Sequence, residues 1–274
     1  MDGPSSITPR LEDALMSGIA LLPAGANVVL QLARVPVGRA VASSPVASGS
    51  LTRHPLKRTR TTLAFLVVAL VGTDEERRRI RREIDRSHGP VRSRPGDEVA
   101  YSAFDPELQG WVAACLYQGA RQAVVLSGIA VEEVDDELYR IAERLGTTLQ
   151  VPAGWWSADR AAFEDYWRGH LAECRFDEVT GPYLRSFVAL EFLPLGLGRV
   201  LGPLHTLLVG HFLAPELRAG LGIPWDLRRA RRADRLVTLV ARGWRRLPRA
   251  LRHAPLNLVL YDTRRRFAGG RPVV

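Results

Sequence analysis

Three groups of residues in this 274-residue chain have types and spacings that could do chemistry. The first is His88, which continues the series Ile80, Ile84 in steps of four and so points along the only apolar stripe of an otherwise charged helix. A lone imidazole on such a stripe is more often a hydrogen-bonded residue of the core or rim than a ligand. The second is Arg58 with Thr62, one helical step apart and therefore neighbours on one face, just ahead of the apolar run 63–71. Taken alone this pair reads as an ordinary basic helix start. The third is His205 with His211, six residues apart, which is not a helical ligand spacing, so no metal site is expected there. Cys115 and Cys174 stand far apart in apolar or helix-like segments, without the paired spacing of a disulfide framework or a zinc site, and read as free thiols.

The elements that must position these residues carry helical signals almost throughout. Thr73 is placed to cap a helix, with Asp74, Glu75 and Glu76 in its first turn and Glu76 completing a capping box; Gly89-Pro90 should end it just after His88. Asp105-Pro106 opens a long apolar helix through Trp111, Val112, Leu116 and Val124 to Gly128. Val134, Leu138, Ile141 and Leu145 predict a further helix over 131–146, and Ser157 is expected to cap one whose inner face uses Phe163, Tyr166, Trp167 and Leu171. The C-terminal third reads as short helices punctuated by prolines, among them Pro203, Pro248 and Pro255. Residues 40–50, rich in serine and alanine, read as a flexible or pocket-lining loop. There is no internal repeat and no linker of domain-boundary length, so the expectation is one all-α domain over 1–274 with loose termini.

Composition narrows the function classes. Hydrophobic residues make up 46% of the chain, enough for a sizeable core. The net charge of +9 invites a nucleic-acid reading, but Lys57 is the sole lysine, the excess is almost wholly arginine, and acids interleave with it, as in Glu75 to Glu83. A solvated helical face explains such runs, so nucleic acid is not an expected partner. The apolar stretch 193–213 is broken by Pro194, Pro203 and glycines and carries Arg199, His205 and His211, which a membrane-spanning helix rarely tolerates. An acid at position 2 and no closely following apolar core argue against a secretory leader, so a cytoplasmic location is expected. Within 228–252, Arg228, Arg229, Arg231, Arg232 and Arg235 form a basic face and Leu236, Val237, Leu239 and Val240 an apolar one, a pattern suited to peripheral contact with anionic lipid.

Read in order, these features cease to be independent. Pro55-Leu56-Lys57-Arg58-Thr59-Arg60-Thr61-Thr62-Leu63, the helix ending in His88-Gly89-Pro90-Val91-Arg92, and Tyr101-Ser102-Ala103-Phe104-Asp105-Pro106-Glu107-Leu108 with Trp111-Val112 resemble the signature of the rubber oxygenases (latex-clearing proteins) and MpaB-type oxygenases. Leu213-Ala214-Pro215-Glu216-Leu217-Arg218 and Leu221-Gly222-Ile223-Pro224-Trp225 resemble that family's C-terminal region, so the likeness runs over 16–267. The resemblance implies a helical, partly globin-like domain around b-type haem, with His88 as the iron ligand and with Arg58 and Thr62 as pocket residues in cofactor binding and catalysis. It implies dioxygen as co-substrate and a hydrophobic, unsaturated, isoprenoid- or lipid-like substrate. Two positions depart from the pattern. Thr61 stands where rubber oxygenases can place a lysine as distal iron ligand, which implies an open or water-bound distal site. Ala113 and Ala114 stand where many relatives have histidine and threonine, which is the ground for the alternative of a catalytically silent haem-binding or haem-free helical protein.

Overall fold

The computed structural model describes residues 7–46 and 50–274. Among these residues the chain is all-α, with a single isolated bridge between Arg92 and Ser102 as its one piece of extended pairing. The first helices are α1 (Pro9–Leu15), α2 (Ala24–Leu32), α3 (Val35–Ala42), α4 (Pro55–Val71), α5 (Asp74–His88) and α6 (Pro106–Leu126). They are followed by α7 (Asp135–Thr147), α8 (Arg160–Ala172), α9 (Thr180–Val188), α10 (Leu197–Phe212), α11 (Pro215–Gly220), α12 (Leu227–Arg245) and α13 (Arg249–Ala268).

The two helices with the clearest sequence signals form as their chemistry dictates. In α5 the Thr73 hydroxyl accepts from Glu76 N at 3.2 Å while the Glu76 carboxylate accepts from Thr73 N at 2.8 Å, so two otherwise orphaned donors are satisfied reciprocally. Ile80 and Ile84 are buried beneath an exposed charged face. In α6 Asp105 caps through Glu107 N at 2.9 Å, and Pro106 at the first position gives up a donor that no turn would have used.

α6 lies between the two larger hydrophobic clusters of the described residues. Ala113, Ala114, Tyr117, Ala120 and Val124 face one core, built with α1, α4, α5, α7 and α13. Trp111 and Cys115, one helical step apart, face a second core with α2, α3, α9 and α10. Val112 touches both. Trp111 anchors the second core: it is fully buried, stacks on Trp167 with centroids 5.1 Å apart, and donates from Nε1 to Gln31 O at 3.2 Å.

Several local expectations are revised by tertiary packing. The helix expected over 131–146 breaks at Val134 into a short 3₁₀ turn and α7. The break buries Asp135, which accepts from the Tyr117 hydroxyl at 2.9 Å and pairs with Arg160 at 2.6 Å, and it gives α7 three acids in its first turn. The cap of α8 is Asp159, bonded to Ala161 N at 2.8 Å; Ser157 instead donates to Asp159 O at 2.9 Å. Pro203 and Pro255 lie inside α10 and α13 rather than ending helices. Packing offsets the lost ladder bond: the Pro255 ring and Trp244 fill the space that a Cβ on Gly18 would occupy. Segment 40–50 is helical to Ala42, and residues 47–49 lie outside the described residues. Near the C-terminal end of the described residues, Val273 is fully buried. In α12 the apolar residues read as a lipid face turn inward, with Val237 buried and Leu236 and Val240 half-buried, leaving Leu239 exposed among arginines.

Candidate functional site

A cavity of about 230 Å³ lies on the seam between the two cores. One wall comes from the first core through Phe65, Ile84 and Leu149, the other from the second through Leu32, Val37 and Leu108, with Val112 between them. Most of its surface is apolar. Arg58, Thr62 and His88 all line it, so the structure brings onto one cavity three residues that stand on two different helices. Ala40, Val41, Ser44 and Val46 line it as well, which places part of the 40–50 segment on the pocket wall.

Each of the three arrives by a local cause. The apolar run of α4 anchors in the first core through Ala64, Phe65, Val67 and Val68, which turns the preceding helical face, with Arg58 and Thr62, towards the seam. The Ile80–Ile84 stripe of α5 does the same for His88, whose helix stops at Gly89. Thr61 lines the cavity too, but its hydroxyl donates to Arg58 O at 3.0 Å and is thereby occupied by its own helix. The Thr62 hydroxyl and the Arg58 guanidinium have no hydrogen-bond partner among the described residues, and Arg58 has Tyr183 rather than a carboxylate as its electrostatic neighbour. Burial lowers the Arg58 pKa, Tyr183 opposing, yet a guanidinium starts so high that it stays charged.

His88 is held by residues that no local sequence pattern singles out. Its Nδ1 lies 3.1 Å from Gln150 Oε1. Gln150 Nε2 donates to Asp85, one turn earlier on α5, and Gln109, buried on α6, donates to both Gln150 Oε1 and Ala103 O. Gln150 N completes the lattice by donating to Gln109 Oε1 at 2.6 Å. Because Asp85 only accepts when ionised, it fixes Gln150 with its oxygen towards His88. His88 must then carry its proton on Nδ1, leaving the Nε2 lone pair free. Burial pushes the imidazolium pKa below its usual range; the Gln150 bond opposes this, Arg58 adds to it, and Asp85 opposes it again. The ring is neutral at neutral pH.

This donor set fits a b-type haem. A neutral imidazole whose second nitrogen is engaged by a hydrogen-bond acceptor is the usual form of a histidine ligand, and a partnerless guanidinium on the same apolar cavity would be satisfied by a propionate carboxylate. At about 230 Å³ the cavity is smaller than the ~300–1,000 Å³ of typical ligand pockets, so it is the donor set rather than the volume that fits the group.

The other candidates sit elsewhere. His205 Nδ1 lies 2.9 Å from Val188 O and ties α10 to α9, and His211 stands 3.3 Å from Asp234 on a different groove. Neither lines the cavity. Ala113 is fully buried in the first core and is not on the cavity wall, so a side chain there would be read by packing before it met a ligand. Arg218 donates to Gly210 O at 2.9 Å and Leu213 O at 3.0 Å and lies over the Trp225 ring, so this C-terminal motif builds the joint between α10 and α11. Cys115 and Cys174 are free thiols. Among the described residues no cluster of three or more His, Cys, Asp or Glu could hold a bare metal ion, and no helix is long and apolar enough to cross a membrane.

Comparison with known proteins agrees with the pattern of the motifs. Residues 13–242 match the family described as ER-bound oxygenase mpaB/B′/Rubber oxygenase, catalytic domain. The chain is 42% identical over 255 residues to the uncharacterized protein Mb2261 of Mycobacterium bovis and, equally, to the uncharacterized protein Rv2237 of Mycobacterium tuberculosis. Each alignment covers 93% of this chain and 100% of the relative. No solved structure matches it significantly.

Proposed function

The chain belongs to the mpaB and rubber oxygenase catalytic-domain family, and from that premise we propose that it is a haem-b-dependent oxygenase acting with dioxygen on a hydrophobic, unsaturated, isoprenoid- or lipid-like small molecule. The observation that carries this reading is the convergence of His88, Arg58 and Thr62 on one apolar cavity.

When bound, the haem supplies the iron at which dioxygen is activated for attack on a carbon–carbon double bond. The chain's own residues prepare the place for it. His88 offers Nε2, with Gln150 and Asp85 holding the ring in one tautomer and one orientation. Arg58 offers, on the cavity lining, a charge that a propionate can pair. Thr62 can donate its hydroxyl proton to an oxygen atom at the cavity face. Phe65, Leu108 and Val112 exclude water and present the surface on which a hydrocarbon is held. Thr61, in the place of a distal lysine and already bonded to its own helix, leaves that side of the cavity without a competing amine.

Exposed Arg228, Arg231, Arg232 and Arg235 on α12, with Leu239 among them, support peripheral contact with anionic lipid as an accompaniment to this activity, a source from which apolar substrate could be drawn. The decisive experiment is the visible spectrum of protein produced with ample haem. An intense haem band, extractable as b-type haem into acidified organic solvent, is the expected result. A folded, colourless protein unable to take up added haemin would overturn the reading in favour of the silent alternative.

A further inference from the structure

Part of the wall beside His88 comes from a residue remote in the chain. After α13, Gly270 takes a φ of +66° and the backbone turns back, with Arg271 N donating to Arg266 O at 2.9 Å. The turn delivers Val273 to the first core, where it is fully buried, and brings Val274 onto the cavity lining with Phe65, Ile84 and Leu149.

One carboxylate holds this segment in place. Glu83 Oε2 accepts from Val273 N at 2.5 Å and from Val274 N at 3.0 Å. Glu83 is only 8% exposed, on a helix where nearly every other charged side chain has access to solvent. A buried carboxylate is costly unless hydrogen bonds satisfy it, and its bonds here run to the backbone of residues 273–274. Glu83 also directly precedes Ile84, which lines the cavity, and lies five positions before His88. The clamp and the cavity wall are therefore built on one rigid helix, and the position of Val274 is registered against that of His88.

We propose that Glu83 and Val274 set the length of hydrocarbon that the cavity accepts, with Val274 as the end wall and Glu83 as the positioning residue that fixes it. The proposal rests on the reading of this cavity as the substrate chamber. In so small a space the three carbons of the Val274 side chain are comparable to a few methylenes of ligand, and one methylene that fits or fails to fit changes affinity about tenfold or more.

The test uses the full chain, with and without haemin, and measures displacement of Nile red by straight-chain primary alcohols of increasing length. The wild-type protein should show a length optimum. Val274→Gly, and to a lesser degree Val274→Ala, should move that optimum to longer alcohols, while Val274→Phe should move it to shorter ones. Glu83→Ala, folded by circular dichroism, should flatten the length dependence while changing the affinity for the shortest alcohols less than about threefold. Folded Val274 variants that keep the wild-type optimum would overturn the proposal, as would wild-type binding with no length dependence, and both would leave the chamber reading standing. Wild-type protein that binds no alcohol of any length would overturn the chamber reading itself and this inference with it.

Discussion

The Nδ1 of His88 and the Oε1 of Gln150 lie 3.1 Å apart, joining the end of α5 to the segment just beyond α7. Since Asp85 and Gln109 fix the orientation of the Gln150 carboxamide, the bond determines which imidazole nitrogen keeps a free lone pair. Gln150→Leu removes the acceptor and frees the ring. Haem affinity is expected to fall about 10- to 100-fold, as is usual when the outer partner of a metal-bound histidine is lost. Haemin titration followed by absorbance measures it, and an unchanged affinity with an unchanged spectrum would show that Gln150 does not govern the ligand.

His88→Ala should lose most bound haem while remaining folded, because the ring is half-buried at the end of its helix and Ile80 and Ile84 keep their contacts. Imidazole added at millimolar concentration should partly restore binding by occupying the vacated position. Full haem content with the original spectrum in this variant would mean that another side chain holds the iron.

Arg58→Met should move two measurements in opposite directions. The haem-free protein should gain stability, on the order of 1 kcal/mol in chemical denaturation, because a cation without an ion-pair partner gives way to an apolar chain of similar reach. Haemin affinity should fall, because the propionate loses its counter-charge. A variant less stable than the parent, or one with unaltered haemin affinity, would refute the role given to Arg58.

Acid should loosen one wall of the cavity. Asp177 accepts from Thr180 N at 2.7 Å and from Arg39 Nε at 2.6 Å, and so pins α3, which carries the lining residues Ala40 and Val41, to the start of α9. Burial raises the Asp177 pKa, but the Thr180 backbone, Arg39, the Thr180 hydroxyl and the Val179 backbone outweigh it and bring the value down to about 2. For a carboxylate depressed on folding, the stabilisation is complete above its unfolded pKa near 4 and fades as pH falls through the folded value. It is present in full at neutral pH, reduced by solvent screening from what the shift alone would give, and is lost between about pH 4 and pH 2. Asp177→Asn should therefore be less stable than the parent at pH 7 and nearly equal to it at pH 2 in denaturant titrations; a constant difference across that range would contradict the assignment.

What could be read from the sequence was whatever is encoded within a few turns of helix. The capping box at Thr73, the Asp105-Pro106 start and the Ile80–Ile84–His88 stripe are short-range patterns, and each appears in the structure as the residues dictate. Spacing put Arg58 and Thr62 on one helical face, and the family resemblance implied their place on a pocket, where both line the cavity. Gln150 and Val274 were invisible because they meet α5 only after the chain has closed over 62 and 191 residues, the separations of the His88–Gln150 and Glu83–Val274 bonds. Pro255 misled for a related reason: locally a helix breaker, it is tolerated where Gly18 leaves it a socket. In α12, likewise, periodicity showed that the helix has an apolar side but not that Val237 on it would pack with Ile19 and Leu126.

The division of α6 between two cores bears on how the molecule comes apart. A helix that gives Trp111 and Cys115 to one interior and Tyr117 and Val124 to the other cannot be released from either without exposing both, so heating should melt the domain in a single transition rather than half by half. The cavity lies along that same boundary. A ligand bridging its two walls would thus stabilise the whole domain rather than a local patch, and a rise in melting temperature becomes a way to recognise the natural occupant among candidate compounds without any assay of turnover.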